Sequence, residues 1–349
     1  IHKDARMVAL GSRNAGRARA GRTARRRAPA AFGTGGAMSE SERQRLLDRA
    51  ESLLALGQWD QAAALFHELT RLDPLRGLLG QGETAVQRGD GQAAYRHFAQ
   101  ASQLVEDIRE STALAARQAE LAREQQTAAV GRGRALLLLA QLPEALAAFD
   151  EALQLDPDCP AAHHGRGLVL AAQGQHTEAE RAQERATAGE RPPYAAWIAL
   201  GELRAERGRF DEAMYAFGQA LQQDPDQATG VLHAARLLAA LGDLDQAEEV
   251  LEEAAQGVLA DDPEVLYELA QVYLLSEQLD TLGGVALRLQ TVLPRDPAAL
   301  GLVAGFLLRA GLPALARERI EEALTLDPSP AELADLTKLL AELDLTEKD

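Results

Sequence analysis

The chain has 349 residues, 46% of them apolar and only 4% aromatic, with one cysteine and a net charge of −17. A lone Cys159 excludes a disulfide framework and cysteine-rich metal sites. No apolar run approaches the roughly 18 residues a membrane helix needs, Leu136 to Leu139 and Leu300 to Leu308 being the longest candidates, so a soluble protein of the reducing cytoplasm without membrane insertion is expected.

Charge divides the chain into two unlike parts. Residues 1–37 carry Lys3 and eight arginines against Asp4, about +8, which leaves about −25 for residues 38–349. The basic segment lacks periodicity, exits through Gly33 to Gly36 and is expected to be disordered. Three readings of it stay open: a leader from an upstream start or vector ahead of Met38, an arm contacting acidic partners, or a transit peptide. Nucleic acid is a poor ligand for so acidic a body, leaving only the Arg-rich segment able to attract it.

From Ser41 onward, apolar residues recur at three- and four-residue spacing, the mark of amphipathic helices. A first helix pair turns near Gly57 and Trp59 and closes at Asp73-Pro74. A second follows directly. Between Gly91 and Gly131 neither Gly nor Pro occurs, so the extra residues near 108–124 are expected to be helical. They prolong both arms of a hairpin or, with Ser111-Thr112 as a cap, form one added helix; the longer hairpin keeps the alternation of the later pairs. The pattern is most regular from Gln126 to Leu259. Near residue 283, Leu282 and Gly283-Gly284 predict a softened second helix. After Pro328, Leu333, Leu336, Leu339 and Leu340 share one face of a last helix that would cover the end of the array.

The small residue of each second helix serves as a ruler: Ala62, Ala94, Ala145, Ala179, Ala213, Ala247, Leu282 and Ala316, at intervals of 32, 51, 34, 34, 34, 35 and 34. Gly57, Gly89, Gly174, Gly208, Gly242 and Gly311 fall between the helices in the same register, and Phe66, Phe98, Phe149 and Phe217 follow the ruler by four. Trp197, Leu200, Gly201, Ala213, Phe217 and Pro225 match W-x2-L-G-x2-Y, A-x3-F, P, with Arg204 in place of the tyrosine. The chain therefore strongly resembles the tetratricopeptide repeat (TPR) family over about residues 43–328. The resemblance implies an all-α, right-handed α-α superhelix of antiparallel helix pairs. Residues 38–329 would hold about eight repeats, and 330–349 a C-terminal capping helix and tail.

Motifs that would carry chemistry dissolve into this register. Gly80-Gln81-Gly82-Glu83-Thr84-Ala85 mimics a dinucleotide loop but follows no strand, and Gly82, like Gly133 in Gly131-Arg132-Gly133-Arg134, occupies the small helix position. His163-His164 has no metal-binding neighbour at i+3 or i+4. Metalloprotease, nucleophile-elbow and phosphate-loop signatures are missing, so neither enzyme activity nor a cofactor or metal is expected.

By the resemblance, the first helix of each repeat lines a concave groove. Its inward positions here include Glu83, Arg134, Leu137, His164, Ile198, Glu202, Arg236 and Tyr267, an apolar stripe with isolated charges of both signs. Ile198 and Tyr267 would anchor a partner, Arg134 and Arg236 would orient acidic flanks and Glu202 a basic one. Such a lining suits an amphipathic helix or an extended apolar peptide. The expected function is a non-enzymatic scaffold or adaptor holding a protein or peptide; the alternative is a ligand- or peptide-sensing module that signals by changing superhelical shape. Partner identity, pathway and oligomeric state are not written in the residues.

Overall fold

A computed structural model of the protein describes residues 39–111, 115–189, 191–326 and 328–346. The basic segment 1–37, and the expectation of disorder attached to it, lie outside these residues. Seventeen helices make up the described chain. They form eight antiparallel pairs and a terminal helix: α1 (Glu40–Ala55) with α2 (Trp59–Leu72), α3 (Pro74–Gln87) with α4 (Gly91–Ser111), α5 (Ala115–Leu138) with α6 (Leu142–Leu155), and α7 (Pro160–Ala172) with α8 (His176–Thr187). The later pairs are α9 (Tyr194–Glu206) with α10 (Phe210–Gln223), α11 (Ala228–Leu241) with α12 (Leu244–Gln256), α13 (Pro263–Leu275) with α14 (Leu279–Val292), and α15 (Pro297–Arg309) with α16 (Pro313–Thr325). The final helix is α17 (Pro330–Thr346).

Each helix packs on the next, and the odd-numbered helices from α3 to α13 also pack on one another in succession, as does α15 on α17, whereas no two even-numbered helices approach as closely among the described residues. The odd helices therefore form the inner, concave layer of the superhelix, and the even ones the outer layer. Burial follows the ruler: Ala62, Ala94, Ala145, Ala179, Ala213, Ala247, Leu282 and Ala316 are all buried completely. The core is strung along the array rather than gathered at a centre, as expected where each repeat contacts only its neighbours.

In α3, α5 and α9 the inner helix approaches its outer partner through glycine. A Cβ on Gly82 would lie 2.7 Å from the Phe98 ring, on Gly133 2.6 Å from Phe149 and on Gly201 2.3 Å from Phe217, so each phenylalanine fills the space left by a glycine of its own pair. The first glycine of the two Gly-x-Gly segments is explained as well. Gly80 faces Phe66 and Gly131 faces Phe98, the phenylalanine of the preceding repeat. Both resemblances to phosphate loops are packing devices.

Six turn glycines, from Gly57 to Gly311, adopt the left-handed conformation that lets the chain reverse between paired helices. The same turn in the third and seventh repeats is occupied by Ala140 and Glu277, at φ of 55° and 58°. A side chain there costs about 1–2 kcal/mol, offset by the backbone entropy that glycine would restore to the unfolded chain. Glu277→Gly is thus expected to stabilise the array by about 0.5–1 kcal/mol in urea unfolding; an unchanged midpoint would show that the turn relaxes around the glutamate.

The helices on either side of residues 112–114 are long, 21 residues in α4 and 24 in α5 against 12 to 14 in the helices from α6 to α16. The prolonged arms carry a core of their own, with Val105 and Leu121 buried together and Ile108 packed beside them. In the seventh repeat, α14 runs unbroken through Gly283 and Gly284 with Leu282, Val285, Ala286 and Leu289 buried, so the expected distortion is not found there. A Cβ on Gly283 would lie 2.9 Å from Leu312, whereas Gly284 has nothing within 4 Å. Pro74, read as closing the first repeat, is the first residue of α3, where its missing N–H has no helical partner to lose. On α17 the covering face is made by Leu336 and Leu343, both buried, with Leu339 and Leu340 partly buried against the same cluster, while Leu333 is 43% exposed.

Candidate functional site

The concave layer is not uniform along its length. In the first three repeats the inward apolar residues Leu47, Leu79 and Val130, and Leu54, Val86 and Leu137 two turns further on, are only half-buried. Leu47, Leu54, Leu79 and Val130 border a cavity of about 520 Å³ walled mainly by α1, α3, α5 and the start of α7. Further along, Ile198 is 6% exposed and packs with Phe217, Ala234 and Leu237. Tyr267 packs edge-on against Phe306 at 5.9 Å. Ile198 is therefore taken up by contacts between repeats, while Tyr267 is half-buried beside Phe306. The expectation treated one position as equivalent in every repeat, whereas it is buried in α9 and α11, at Ile198 and Leu232, and half-buried in α13, at Tyr267.

Several charged residues of the inner layer meet a partner on the next inner helix. Arg134 donates to both carboxylate oxygens of Glu83, at 2.7 and 2.9 Å, joining α5 to α3. Nε of Arg236 donates to Glu268 at 2.6 Å, joining α11 to α13. Glu202 lies 3.4 Å from Nε2 of His233, joining α9 to α11. Arg236 and Glu202, read as orienting a partner's flanks, stay about half exposed while making these links. Leu137 remains half-buried on the inner face of α5, in the group around Phe149.

His164 turns inward rather than into the groove. Its Nδ1 lies 2.9 Å from Oε1 of Gln183, and the Gln183 amide donates to the His164 carbonyl at 3.2 Å. Gln183 is fully buried in the place that Phe149 and Phe217 hold in adjoining repeats. Burial holds the His164 pKa below the usual imidazole value, the Gln183 contact opposing and the nearby Arg134 charge assisting. Neutral His164 is thus favoured in the fold, and it serves the α7–α8 packing. His163, beside it, is also buried and sets Nε2 2.8 Å from the Pro157 carbonyl.

The departure from the family pattern at Arg204 has a local cause. Glu180 of α8 is buried against three guanidinium groups, those of Arg204, Arg207 and Arg209, and Arg204 also reaches Glu184 at 3.1 Å. In the seventh repeat the equivalent residue is Tyr273, whose hydroxyl donates to Glu252, the counterpart of Glu184. Burial and that carboxylate together raise the Tyr273 pKa far above the ordinary phenol value. The same link between neighbouring repeats is made once by a phenol and once by a guanidinium.

With this geometry in view, the comparisons with known proteins agree. Models of the tetratricopeptide repeat match residues 47–107 and 179–228, residues 133–174, and residues 204–258. The chain belongs to the tetratricopeptide repeat proteins. Among solved structures it is similar to the crystal structure of the APC/C hetero-tetramer Cut9-Hcn1, with 16% identity, a TM-score of 0.51, and coverage of 86% of this chain and 56% of that one. PilF of Pseudomonas aeruginosa is 17% identical over 63% of this chain and 99% of its own, with a TM-score of 0.49. A curated relative, the probable biofilm formation methyltransferase WspC of Pseudomonas aeruginosa, is 39% identical over 92 residues. The match spans 26% of this chain and 22% of that protein. The family's fold is one of protein–protein interaction. No helix among the described residues is long and apolar enough to cross a membrane.

Proposed function

We propose that the protein is a non-enzymatic scaffold of the cytoplasm that holds a partner peptide or helix in its concave groove. The observation that carries this reading is the half-buried apolar row of the first three repeats, bordering a cavity of about 520 Å³. Concave sites of a few hundred cubic ångströms, mostly apolar with a few polar groups, are where ligands lose most of their surface to a protein. The inner helices supply the row from successive repeats, so an elongated occupant can be followed along the superhelix. Enzyme activity has no support in the motifs of the sequence. The likeness to a probable methyltransferase concerns 22% of that protein and brings none of its chemistry to this reading.

A photoreactive amino acid placed at Leu54 or Val130 tests the proposal in the cells that make the protein. Cross-links to one common partner from both positions, and none from Glu248 on the outer helix α12, are the expected result. Cross-links confined to Glu248, or to the ends of the long α4–α5 hairpin, would remove the groove from consideration.

A further inference from the structure

The walls of the groove cavity hold more negative than positive charge, and the positive charge is already spent. Arg134 is clamped by Glu83. Arg76 sits 3.6 Å from Asp73 and 3.9 Å from Glu120. Glu51 and Glu124 also line the cavity, which sets three carboxylates, Glu51, Glu83 and Glu124, against the two guanidinium groups of Arg76 and Arg134 among its lining residues. Glu51, exposed on α1 between the half-buried Leu47 and Leu54, pairs with no cation among the described residues.

We infer that the occupant of this cavity is a cationic amphipathic segment of a partner protein, its apolar side chains set on Leu47, Leu54, Leu79 and Val130 and a lysine or arginine on Glu51. The inference rests on the groove reading above and gives the partner its chemistry. An acidic segment is disfavoured twice: it would meet the net negative wall, and to be neutralised it would have to pull Arg134 from Glu83 or Arg76 from Asp73. A cationic segment breaks neither pair. The charge of about −25 over residues 38–349 acts in the same direction at long range, raising the rate of encounter with a basic partner.

The experiment uses the full chain and fluorescein-labelled synthetic peptides of about 18 residues, five helical turns, built as amphipathic helices of leucine with lysine or of leucine with glutamate. Fluorescence anisotropy at physiological salt should show the lysine peptide bound about tenfold more tightly than the glutamate peptide, and Glu51→Lys should remove about that factor. Glu248→Lys makes the same change in net charge on the outer face and should leave binding as it was. Equal losses from Glu51→Lys and Glu248→Lys would reduce the attraction to bulk charge and overturn the assignment. Val130→Arg and the milder Leu54→Gln, each checked for an unchanged helical spectrum, separate the two layers of the argument. A glutamate peptide that binds as well as the lysine peptide, and is lost on Val130→Arg, would leave the groove and refute the cationic partner. Binding indifferent to both apolar changes would refute the groove itself. A gain in affinity when Arg25, Arg26 and Arg27 are replaced by alanine would show the chain's own basic segment competing for the cavity, and would overturn a partner in trans.

Discussion

Gly201→Leu is expected to destabilise the array by about 2 kcal/mol net. Overpacking a filled core costs about 1–3 kcal/mol, and leucine returns about 1 kcal/mol of helix propensity relative to glycine. The upper part of the packing range applies here because the first added atom already collides, 2.3 Å from Cε1 of Phe217. The ring has nowhere to retreat. Phe217 is almost fully buried, and its far side is stacked on His233 with centroids 5.4 Å apart. Displacing it opens contacts of α9, α10 and α11 together, and in a chain stabilised by nearest-neighbour interfaces the damage should spread to adjoining repeats. Hydrogen exchange should therefore show lowered protection across α7 to α12, with α15 and α16 affected least. Gly218→Ala on α10 is the matched control, since nothing lies within 4 Å of the added methyl. That change should gain about 0.5–1 kcal/mol from helix propensity alone. If Gly201→Leu melted with the parent protein while Gly218→Ala raised stability, the placing of α9 against α10 by its glycine would be wrong.

The parts of this fold legible in the sequence are those set by sterics within one repeat. Gly201 and Phe217 are one hairpin apart, and only a small residue opposite a large one satisfies the space, so the pairing shows as a recurring interval. The turn glycines were legible because a left-handed residue excludes most side chains, and Ala140 and Glu277 were missed because they break that rule. The groove was legible as a face but not as a set of free groups. Arg134 and Glu83 are separated by 51 residues across the long hairpin, and Arg236 and Glu268 by 32, so nothing in either neighbourhood announces the partner. Ile198 and Val130 occupy the same position of their repeats, yet one is covered and the other half-open, because burial there depends on how the following inner helix is set. Gln183 and Glu180 could have been noticed as polar residues where the register asks for apolar ones. Their partners, His164 and the three arginines, become apparent only when neighbouring helices are superposed in space.

Glu180→Ala is expected to cost about 3 kcal/mol, the low end of the range for removing one partner of a buried ion pair. Glu180 is 6% exposed and Arg204 12%, so the charge left behind is poorly solvated. The loss stays at the low end because Arg204 keeps Glu184 at 3.1 Å and lies 3.8 Å from a Glu212 oxygen, both carboxylates being about half exposed. Arg204→Tyr is expected to cost less, although it too removes one member of the cluster. Glu180 would retain Arg207 and Arg209, and a tyrosine at this place has a working precedent in Tyr273, which reaches the counterpart of Glu184 from the same position of its own repeat. Raised salt should narrow the difference between the parent and Glu180→Ala only slightly, since a pair so little exposed is weakly screened. The measurement is urea unfolding of the parent and both variants at low and high salt. Should Arg204→Tyr prove the more damaging, or should salt erase the loss in Glu180→Ala, the cluster would behave as an exposed ion pair, and the α8–α9 junction would be held by its apolar contacts alone.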